Sequence, residues 1–380
     1  MKILVTGADG FIGKNLCVSL AEQAGFEVLP VVRATDPAAL ESKVAQADAV
    51  IHLAGVNRPQ DPAEFAAGNA DFTARLCQAL LATGRPIPVA FASSIQADRD
   101  NPYGLSKRAA EDHLRRYAEA SGAPVALYRL ANVFGKWSRP DYNSAVATFC
   151  HNIARGLPIQ VNDAAAPLRL VYIDDVVAEL LRFLADPGSG VGLRQAGPVY
   201  ATTVGELARQ IEAFKDVRAS LVTERVGTGL VRALYATYVS FLPPQAFSYS
   251  VPKYGDARGV FVEMLKTPDC GQFSFFTAHP GITRGGHYHH SKTEKFLVIK
   301  GAARYRFRHL LTDEVFEVDS RGDEPLVVET IPGWAHDITN IGDDELVVML
   351  WANEIFDRQN PDTIASPVAP ASPHDPPAPT

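Results

Sequence analysis

The hydrophobic positions in the first part of the chain fall into short apolar runs separated by longer amphipathic segments. Turn residues bound the apolar runs, and each run is typical of a strand that is buried on both faces. The predicted strands are Ile3–Val5, Glu27–Val32, Ala49–Leu53, Val89–Ala92 and Val125–Arg129. The predicted helices are Gly13–Ala24, Pro37–Gln46, Glu64–Thr83 and Ser106–Ser121. This alternation predicts an α/β unit whose parallel sheet is covered by helices.

The pattern changes at the double proline Pro243-Pro244, which would break any helix. Before it, a mixed region with three predicted helices is expected to form a smaller lobe over the substrate: Ser144–Arg155, Asp174–Leu184 and Thr203–Lys215. After it, short strands separated by Gly, Pro and Asp predict an antiparallel sandwich or barrel. These strands are Gly259–Leu265, Gly271–Thr277, Glu294–Ile299, Ala303–His309, Glu314–Asp319, Pro325–Thr330 and Glu345–Ala352.

The last stretch, Gln359–Thr380, is crowded with Pro, Ala and Ser and is predicted to be a disordered tail. We therefore expect an α/β domain with its substrate lobe at 1–243, an all-β domain at 244–358, and a tail at 359–380.

Bulk properties exclude several classes of function. The 380 residues carry a net charge of −7 and lack a long basic run, so nucleic-acid binding has no electrostatic support. No apolar stretch approaches the roughly 20 residues that span a bilayer, and the N-terminus lacks a signal-peptide pattern. The four cysteines show no CxxC spacing and are expected to be free thiols. These features predict a cytoplasmic protein.

Three glycines follow the first predicted strand, in Thr6-Gly7-Ala8-Asp9-Gly10-Phe11-Ile12-Gly13. A strand, a glycine turn and a helix in this order let the backbone approach a pyrophosphate that faces the N–H groups of the helix start. The spacing GxxGxxG therefore predicts a dinucleotide site. The residues expected to bind the cofactor here are Gly7, Gly10, Phe11, Ile12, Gly13, Leu53 and Ala54.

The end of the second predicted strand bears on which dinucleotide binds. It reads Val31-Val32-Arg33-Ala34-Thr35, without an acidic residue to accept a hydrogen bond from a ribose 2′-hydroxyl. Arg33 could pair with a 2′-phosphate, which favours NADPH, or it could be a solvated surface residue. Asp36 follows closely and keeps NAD open.

Tyr103 and Lys107 lie four residues apart, which places them on one face of a helix. A nearby ammonium lowers the pKa of a phenol, so Tyr103 would serve as an acid or base. The pair follows the predicted strand end at Ser93-Ser94, where a hydroxyl can bind a substrate oxygen.

Six segments in order make the first 240 or so residues resemble the extended short-chain dehydrogenase/reductase family of nucleotide-sugar epimerases, dehydratases and reductases. The segments are TGADGFIG, IHLAG at 51–55, FASS at 91–94, YGLSK at 103–107, RLANVFG at 129–135 and RLVYIDDV at 169–176. One departure is that Tyr103 follows Ser94 by only nine positions, which trims a loop and leaves the approach of the substrate there open.

That resemblance implies a Rossmann-like fold and a catalytic set of Ser94, Tyr103 and Lys107, with Ser93 as the alternative serine. Tyr103 and Lys107 would also contact the cofactor. The resemblance further implies that Asn132 and Arg169 contact the nucleotide diphosphate of the substrate and that Asn69 has a structural role.

A second cluster has the spacing Gly281-x5-His287-x-His289-x4-Glu294-x6-Gly301, and His336 follows in a later predicted strand. Residues two apart on a strand point to the same face, so His287 and His289 should converge. Glu294 and His336 would complete four ligands of a divalent metal. Imidazoles and a carboxylate suit Zn, Fe, Mn or Ni; zinc is the first expectation, and the identity stays open.

The spacing resembles both motifs of the cupin family, a double-stranded β-helix barrel of the jelly-roll kind. The second motif departs slightly, with Pro332 directly beside Gly333. Arg284-Gly285-Gly286-His287-Tyr288 also resembles the cupin-class sugar-nucleotide 3,5-epimerases, in which this histidine removes a proton next to a ketone. His287 is therefore either a ligand or a base, and Arg284 is expected to bind the substrate and stabilise charge. His290 is expected to be exposed, and Lys300 and Tyr305 are candidates for lining the barrel.

An extended reductase joined to a cupin resembles, over residues 1 to about 358, a group of bifunctional enzymes of capsular polysaccharide and O-antigen synthesis. This implies C3 epimerisation of a UDP-4-keto-6-deoxy-N-acetylhexosamine by the cupin, then reduction of the C4 ketone with NADPH. The product would be UDP-2-acetamido-2,6-dideoxy-L-talose, on the path to UDP-N-acetyl-L-fucosamine. A homodimer through the helices Glu64–Thr83 and Ser106–Ser121 is also implied, with a dimer through the cupin as the alternative.

Two alternatives remain. The chain could be a reductase or C4-epimerase of a nucleotide sugar whose cupin is only a structural or dimerisation module. It could also be a sensor that binds NADP without turnover.

Overall fold

A computed structural model of the chain describes residues 1–252, 254–256, 259–261, 264–265, 271–354 and 359–368. The described residues form two compact units. The first consists of Met1–Ala147 with Ala165–Thr203, and the second of Thr148–Ala164 with the residues from Val204 onward. The domain boundary predicted after residue 243 stays a prediction, and the helices between Val204 and Ser240 belong to the second compact unit.

The first unit is built on six parallel strands. They are β1 (Lys2–Thr6), β2 (Glu27–Val31), β3 (Ala49–His52), β4 (Val89–Ser94), β5 (Val125–Leu130) and β8 (Val191–Arg194). Their order in the sheet is β2-β1-β3-β4-β5-β8. The strand order reverses between β1 and β3, and ligands of such sheets bind in the crevice at the carboxyl ends of the strands at that point.

Helices cover both faces of this sheet, as the doubly apolar strands require. The helices of the chain up to residue 185 are α1 (Phe11–Ala21), α2 (Pro37–Gln46), α3 (Ala63–Phe65), α4 (Phe72–Ala82), α5 (Pro102–Ser121), α6 (Ala145–Ala154) and α7 (Ile173–Ala185). A small sheet joins β6 (Asn132–Phe134), β7 (Pro167–Tyr172) and β9 (Val199–Thr203). The predicted Rossmann-like architecture is confirmed.

Local sequence signals explain where the helices begin and end. Asp36 caps α2 and Asn101 caps α5, and each is followed by a proline whose fixed φ suits the first helical position. The predicted helix Glu64–Thr83 is not regular, because α3 and α4 are joined by a π-helical turn at Ala66–Asp71. Such wide turns are frequent at functional sites.

Two antiparallel sheets of five strands dominate the second unit. Their strands are β10 (Ser248–Ser250), β13 (Gln272–Ala278), β14 (Thr283–Tyr288), β15 (Glu294–Lys300), β16 (Ala302–His309), β17 (Val315–Arg321), β18 (Leu326–Glu329), β19 (Trp334–Asn340), β20 (Leu346–Ala352) and β21 (Ile364–Ala365). The orders are β10-β18-β15-β20-β13 and β17-β16-β19-β14-β21. This confirms the predicted antiparallel all-β part, which is consistent with a cupin-like domain.

The second unit also contains most of α6, a hairpin of β11 (Tyr254–Asp256) and β12 (Gly259–Phe261), the helices α8 (Val204–Ser220) and α9 (Gly229–Ser240), and a 3-10 turn at Pro244–Ala246. The predicted strand Gly259–Leu265 lies partly outside the described residues. Along β16, Ala303, Tyr305 and Phe307 are buried, whereas the alternating Arg304, Arg306 and Arg308 are more exposed. This alternation is expected for a strand with one face toward solvent.

The predicted disorder of the tail does not hold for residues 359–368. They include β21, whose Ile364 and Ala365 pair with Tyr288 and His287 of β14. Composition alone missed this pairing because a strand of two residues needs no hydrophobic run when its neighbour supplies the hydrogen bonds. Residues 369–380 lie outside the described part of the chain.

A buried cluster of charges lies between strands and helices of the second unit. Lys295 on β15 and Glu329 on β18 are register partners, with 1% and 5% of their side chains exposed. Lys295 donates to Glu329 and to the Tyr249 hydroxyl, and Arg218 of α8 donates to the other carboxylate oxygen of Glu329. Burial alone would raise the pKa of Glu329, but the two cations hold it below its usual value.

We expect Lys295→Met to lower the free energy of unfolding of the second unit by about 3 kcal/mol, because it leaves a buried carboxylate with one of its two cations. Urea unfolding followed by circular dichroism measures the change. Arg304→Met is the matched control: Arg304 pairs with Asp319 at the surface, and no measurable loss is expected. Equal stability of both variants would contradict the structural role of the cluster.

Candidate active sites

The glycine loop between β1 and α1 leaves no room for side chains. A Cβ on Gly13 would lie 2.1 Å from the Gly7 carbonyl oxygen, and one on Gly7 would lie 2.9 Å from the Ala54 nitrogen. Gly7 also has a φ of +68°, in the left-handed region that favours glycine. The loop can therefore pack against the end of β3 only with glycine at these two positions.

A cavity of about 1090 Å³ opens at the carboxyl ends of β1, β2 and β3. Of the predicted cofactor residues, it is lined by Gly7, Gly10, Arg33, Leu53 and Ala54. Phe11 and Ile12 begin α1 and Gly13 lies in its first turn, so the helix N-terminus adjoins the glycine turn. The position at the strand-order reversal and the free N–H groups suit a dinucleotide pyrophosphate.

Arg33 and Asp36, which bear on the choice of dinucleotide, have different surroundings. The Arg33 side chain lines the cavity and is 90% exposed, 4.0 Å from the Glu64 carboxylate. The Asp36 carboxylate accepts a hydrogen bond of 2.9 Å from Ala39 N as the N-cap of α2. Asp36 is thus engaged by its own helix, while Arg33 is available to a ligand.

Below the glycine turn, a chain of buried hydrogen bonds crosses from β1 to α4, which sequence reasoning did not identify. The Thr6 hydroxyl lies 2.7 Å from His52 Nδ1, and His52 Nε2 lies 2.9 Å from the Thr73 hydroxyl. Because Thr73 donates to the Asn69 carbonyl, it accepts from His52 Nε2–H, and Thr6 donates to Nδ1. Burial lowers the pKa of His52 to about 3, so the ring stays neutral.

Ser94, Tyr103 and Lys107 come together where β4 ends and α5 begins. Ser94 is the last residue of β4, and its hydroxyl hydrogen-bonds the Tyr103 phenol. Lys107 is buried, donates to the Ala92 carbonyl at 3.0 Å, and has its pKa lowered to about 8 by burial. The pKa of Tyr103 is raised by burial, with Ser94 partly offsetting the shift. The expected lowering of the phenol pKa is therefore outweighed by burial.

Ser93, the alternative serine, has a different partner. Its hydroxyl donates to Glu111 at 2.6 Å, and Glu111 is fully buried and held by two bonds from Arg129 at 2.8 and 2.9 Å. This ion pair ties α5 to β4 and β5. Ser93 is thus occupied in the framework, whereas Ser94 faces Tyr103.

Asn69 joins the cofactor side to the catalytic helix. Its amide nitrogen donates to Ser106 Oγ at 2.9 Å, and its carbonyl oxygen accepts from Val56 N at 2.9 Å. The predicted substrate residues Asn132 and Arg169 are exposed on the adjacent strands β6 and β7, and Asn132 donates to the Arg169 carbonyl at 3.1 Å.

In the two five-stranded sheets of the second unit, called the barrel here, a glycine bulge in β14 sets the direction of the His287 side chain. The register of β14 shifts between Gly285 and His287, and the shift places His287 directly opposite His336 of β19. Gly285 has a φ of +97°, and a Cβ there would lie 3.0 Å from the His336 carbonyl oxygen. The two imidazole rings consequently meet edge to face, with centroids 4.7 Å apart and an interplanar angle of 78°.

All four predicted metal ligands meet inside the barrel. One donor atom from each of His287, His289, Glu294 and His336 lies within 4.8 Å of the others. Glu294 starts β15 on the opposite sheet, and its Oε2 is 3.1 Å from His289 Nε2 and 3.6 Å from His336 Nε2. Lys292 contacts the other oxygen of Glu294 at 2.9 Å.

The donor set fits a divalent metal. Within the described residues, neither ring nitrogen of the buried His336 has a hydrogen-bond partner. Burial lowers the pKa of His287 to about 3 and also lowers that of His336, so both rings are in the neutral form that binds metals. Burial works to raise the pKa of Glu294, but the neighbouring imidazoles and the Lys292 ammonium hold it well below its usual value, so it is a carboxylate.

Other predicted barrel residues lie outside this cluster. Arg284 is exposed, donates to the Thr277 carbonyl at 3.2 Å and packs over the Phe276 ring at 5.1 Å. Tyr305 is buried, and its hydroxyl has no partner among the described residues, while Lys300 is exposed. His290 is half-buried, with its ring 5.5 Å from the Tyr288 ring, rather than exposed as expected.

Asp362, which sequence reasoning placed in the disordered tail, reaches the same site. Its carbonyl accepts from His289 Nδ1, and its carboxylate accepts from three backbone N–H groups at His290, Ser291 and Lys292. No local pattern in the sequence could have signalled these contacts, since their partners lie about 70 positions earlier.

Two parts of the chain match known families. Residues 3–194 match the NAD dependent epimerase/dehydratase family, and residues 254–364 match the polysaccharide biosynthesis C-terminal domain. A reductase from Pseudomonas aeruginosa, UDP-2-acetamido-2,6-beta-L-arabino-hexul-4-ose reductase, is 59% identical over 97% of this chain and 99% of its own. The chain belongs to the NAD dependent epimerase/dehydratase family.

Solved structures agree with this assignment. The capsular polysaccharide assembling protein CapF from Staphylococcus aureus is 43% identical, with a TM-score of 0.67 over 97% of this chain and all of its own. WbmF from Bordetella bronchiseptica, solved with NAD+, is 22% identical with a TM-score of 0.51 over 56% of this chain and 78% of its own, which indicates the shared fold alone.

As a member of the NAD dependent epimerase/dehydratase family, the chain is an enzyme that uses a nicotinamide cofactor. Among the residues that the structure describes, no helix combines the length and apolar character needed to cross a bilayer.

We expect substitutions in the glycine loop to weaken binding of the nicotinamide dinucleotide in the order of their steric cost. Gly13→Ala, with its Cβ 2.1 Å from a backbone oxygen, should lower the affinity by tenfold or more, and Gly10→Ala, at 3.1 Å, by less. Fluorescence titration with NADPH measures both. Gly192→Ala has open space around its Cβ and should bind as the unmodified protein does. Equal affinity of all three variants would contradict the assigned loop.

Proposed function

We propose that this enzyme acts twice on one UDP-4-keto-6-deoxy-N-acetylhexosamine. The barrel epimerises C3, and the Rossmann-like unit reduces the C4 ketone with NADPH. The product is UDP-2-acetamido-2,6-dideoxy-L-talose, on the path to UDP-N-acetyl-L-fucosamine for capsule or O-antigen. The main support is that the chain holds two groups of candidate site residues: Ser94, Tyr103 and Lys107, and a cluster of three histidines with one glutamate. In addition, the chain is 59% identical to a UDP-2-acetamido-2,6-beta-L-arabino-hexul-4-ose reductase.

The epimerisation depends on the acidity of a hydrogen next to a ketone. The C4 carbonyl withdraws electrons from C3, so a neutral imidazole can remove the C3 proton, and a proton returned to the opposite face of C3 completes the epimerisation. His287 is either this base or, with His289, Glu294 and His336, a ligand of a divalent metal, for which zinc is the first candidate. A metal held there would supply Lewis-acid polarisation of the ketone. Arg284 is proposed to stabilise negative charge on the substrate.

The reduction needs a proton donor at the C4 oxygen. NADPH bound along the glycine loop would supply the hydride. Tyr103 donates its proton to the ketone oxygen, Ser94 hydrogen-bonds that oxygen, and the charge of Lys107 favours the phenolate left behind. The raised pKa of Tyr103 keeps the phenol protonated and ready to donate at neutral pH. Asn132 and Arg169 are proposed to bind the UDP diphosphate.

NADPH is the proposed dinucleotide because the exposed Arg33 lines the cavity while the nearest acid, Asp36, caps a helix. We expect Arg33→Ala to raise the KM for NADPH about tenfold by removing a charge-assisted contact to the 2′-phosphate. The KM for NADH in the same variant is the internal control and should not change. A parallel rise for both cofactors would contradict a role in 2′-phosphate recognition.

The two proposed steps are separable by experiment. In deuterated water with the 4-keto substrate, the unmodified enzyme should incorporate deuterium at C3 and consume NADPH. Tyr103→Phe should abolish NADPH consumption and keep the deuterium wash-in, because only reduction needs the phenol. His287→Ala should abolish the wash-in. Mass spectrometry of the sugar and absorbance of NADPH at 340 nm follow the two steps.

Ser93→Ala is the matched control for Ser94→Ala. Ser94→Ala should lower the rate of NADPH consumption, whereas Ser93→Ala should act on stability through Glu111. Loss of both steps in Tyr103→Phe would break the proposed division of labour. Full turnover by His287→Ala would favour the alternative in which the cupin is a structural module.

Two further parts of the proposal concern assembly and location. A cytoplasmic homodimer through the helical region Glu64–Thr83 and α5 is proposed by resemblance to the dehydrogenase/reductase family. Light scattering on the purified chain measures the mass directly.

A further inference from the structure

We propose that the segment 359–368, named here the C-terminal strap, positions the metal ligand His289, and that Asp362 is its positioning residue. The inference rests on the proposed metal site. It extends that site to a part of the chain whose composition resembles a linker.

The strap is attached to the barrel wall that carries two of the ligands. Its β21 pairs with β14 at His287 and Tyr288. Ser366 N donates to the Gly286 carbonyl at 2.7 Å, and the outward-facing Arg308 donates to Ser366 Oγ at 2.9 Å. Val368 is buried, with 3% exposed. The strap is therefore fastened at the glycine bulge that directs His287 and directly after it.

Asp362 organises the turn that follows His289. Its Oδ1 accepts from His290 N at 2.8 Å, and its Oδ2 accepts from Ser291 N and Lys292 N at 2.7 Å each. Ser291 Oγ adds a bond of 3.1 Å. One carboxylate thus satisfies three successive backbone donors and fixes the chain between two ligands, His289 and Glu294.

The backbone of Asp362 determines which nitrogen of His289 is free. A carbonyl oxygen only accepts, so the nitrogen facing it, Nδ1, must carry the hydrogen. The lone pair of the neutral ring is then on Nε2, which points at Glu294 Oε2 across 3.1 Å. Two lone-pair donors at this separation suit a shared cation, because ligand atoms about 2.0–2.2 Å from zinc lie roughly 3 Å or slightly more apart.

Other contacts fix the end of this loop that is nearer Glu294, so they do not replace the strap in positioning His289. Asn353 Oδ1 accepts from Thr293 N at 2.9 Å, and Arg232 of α9 donates to Ser291 and Glu354. The contact at Thr293 lies next to Glu294, and the contact of Arg232 with Ser291 is made to the side-chain hydroxyl. The orientation of the His289 ring depends on the carbonyl of Asp362. Hydrogen-bond partners of this kind typically contribute 10–100-fold to metal affinity.

The test compares zinc binding by three variants, each of which keeps the reductase unit. They are Asp362→Asn, a chain ending at Arg358, and a control chain ending at Val368. Competition with a chromophoric chelator gives the affinity, and Co2+ absorption reports the ligand geometry. We expect zinc affinity to fall about 10–100-fold in Asp362→Asn and further in the chain ending at Arg358. The chain ending at Val368 should bind within about twofold of the unmodified enzyme.

Unchanged NADPH affinity in each variant shows that the first unit is folded, and circular dichroism of the metal-free forms reports on the barrel. Should the chain ending at Arg358 not fold, Asp362→Asn decides the matter alone. Zinc binding by Asp362→Asn equal to that of the unmodified enzyme, with the same Co2+ spectrum, would overturn the role of the strap and leave the metal site standing. An unmodified enzyme without stoichiometric metal binding would overturn both.

Discussion

A buried polar group costs free energy unless it forms a hydrogen bond or binds an ion, and this constraint shapes both candidate sites. Beneath the glycine turn of the first unit the constraint is met inside the protein, because Thr6, His52 and Thr73 share a directed chain of hydrogen bonds. In the barrel it is not fully met. His336 is buried with both ring nitrogens unpartnered among the described residues, beside a carboxylate and two further imidazoles. Because these two buried ring nitrogens lack hydrogen-bond partners among the described residues, the cluster is a candidate metal site.

The same constraint separates framework residues from residues that face a ligand. Glu111 is fully buried, so it takes hydrogen bonds from Arg129 and from Ser93. Those bonds occupy Ser93 and lock α5 against the sheet. Ser94, the next residue of the strand, points to the other side and meets Tyr103. The proposed catalytic serine, Ser94, is thus distinguished from Ser93 by which side of β4 carries the buried ion pair.

Much of the first unit could be predicted because its signals are local. Gly10 and Gly13 are constrained by contacts within a single turn, and Tyr103 and Lys107 share a helix face through their spacing alone. The π-helical turn around Asn69 could not be predicted, because a regular helix has the same periodicity over so short a stretch. Likewise α9 escaped prediction, since its residues are buried nearly all round and show no clear polar face.

The sequence by itself determined the two architectures, the glycine loop, the Tyr-Lys pair and the four metal-ligand candidates, because each depends on residue types at short, regular separations. Only the tertiary structure decided that His336 faces His287, that Ser93 serves the framework, and that Asp362 reaches His289 across 73 positions. The physical reason is that hydrogen-bond partners are selected by proximity in the folded chain. Neither composition nor periodicity carries information about which distant strand or tail will be adjacent.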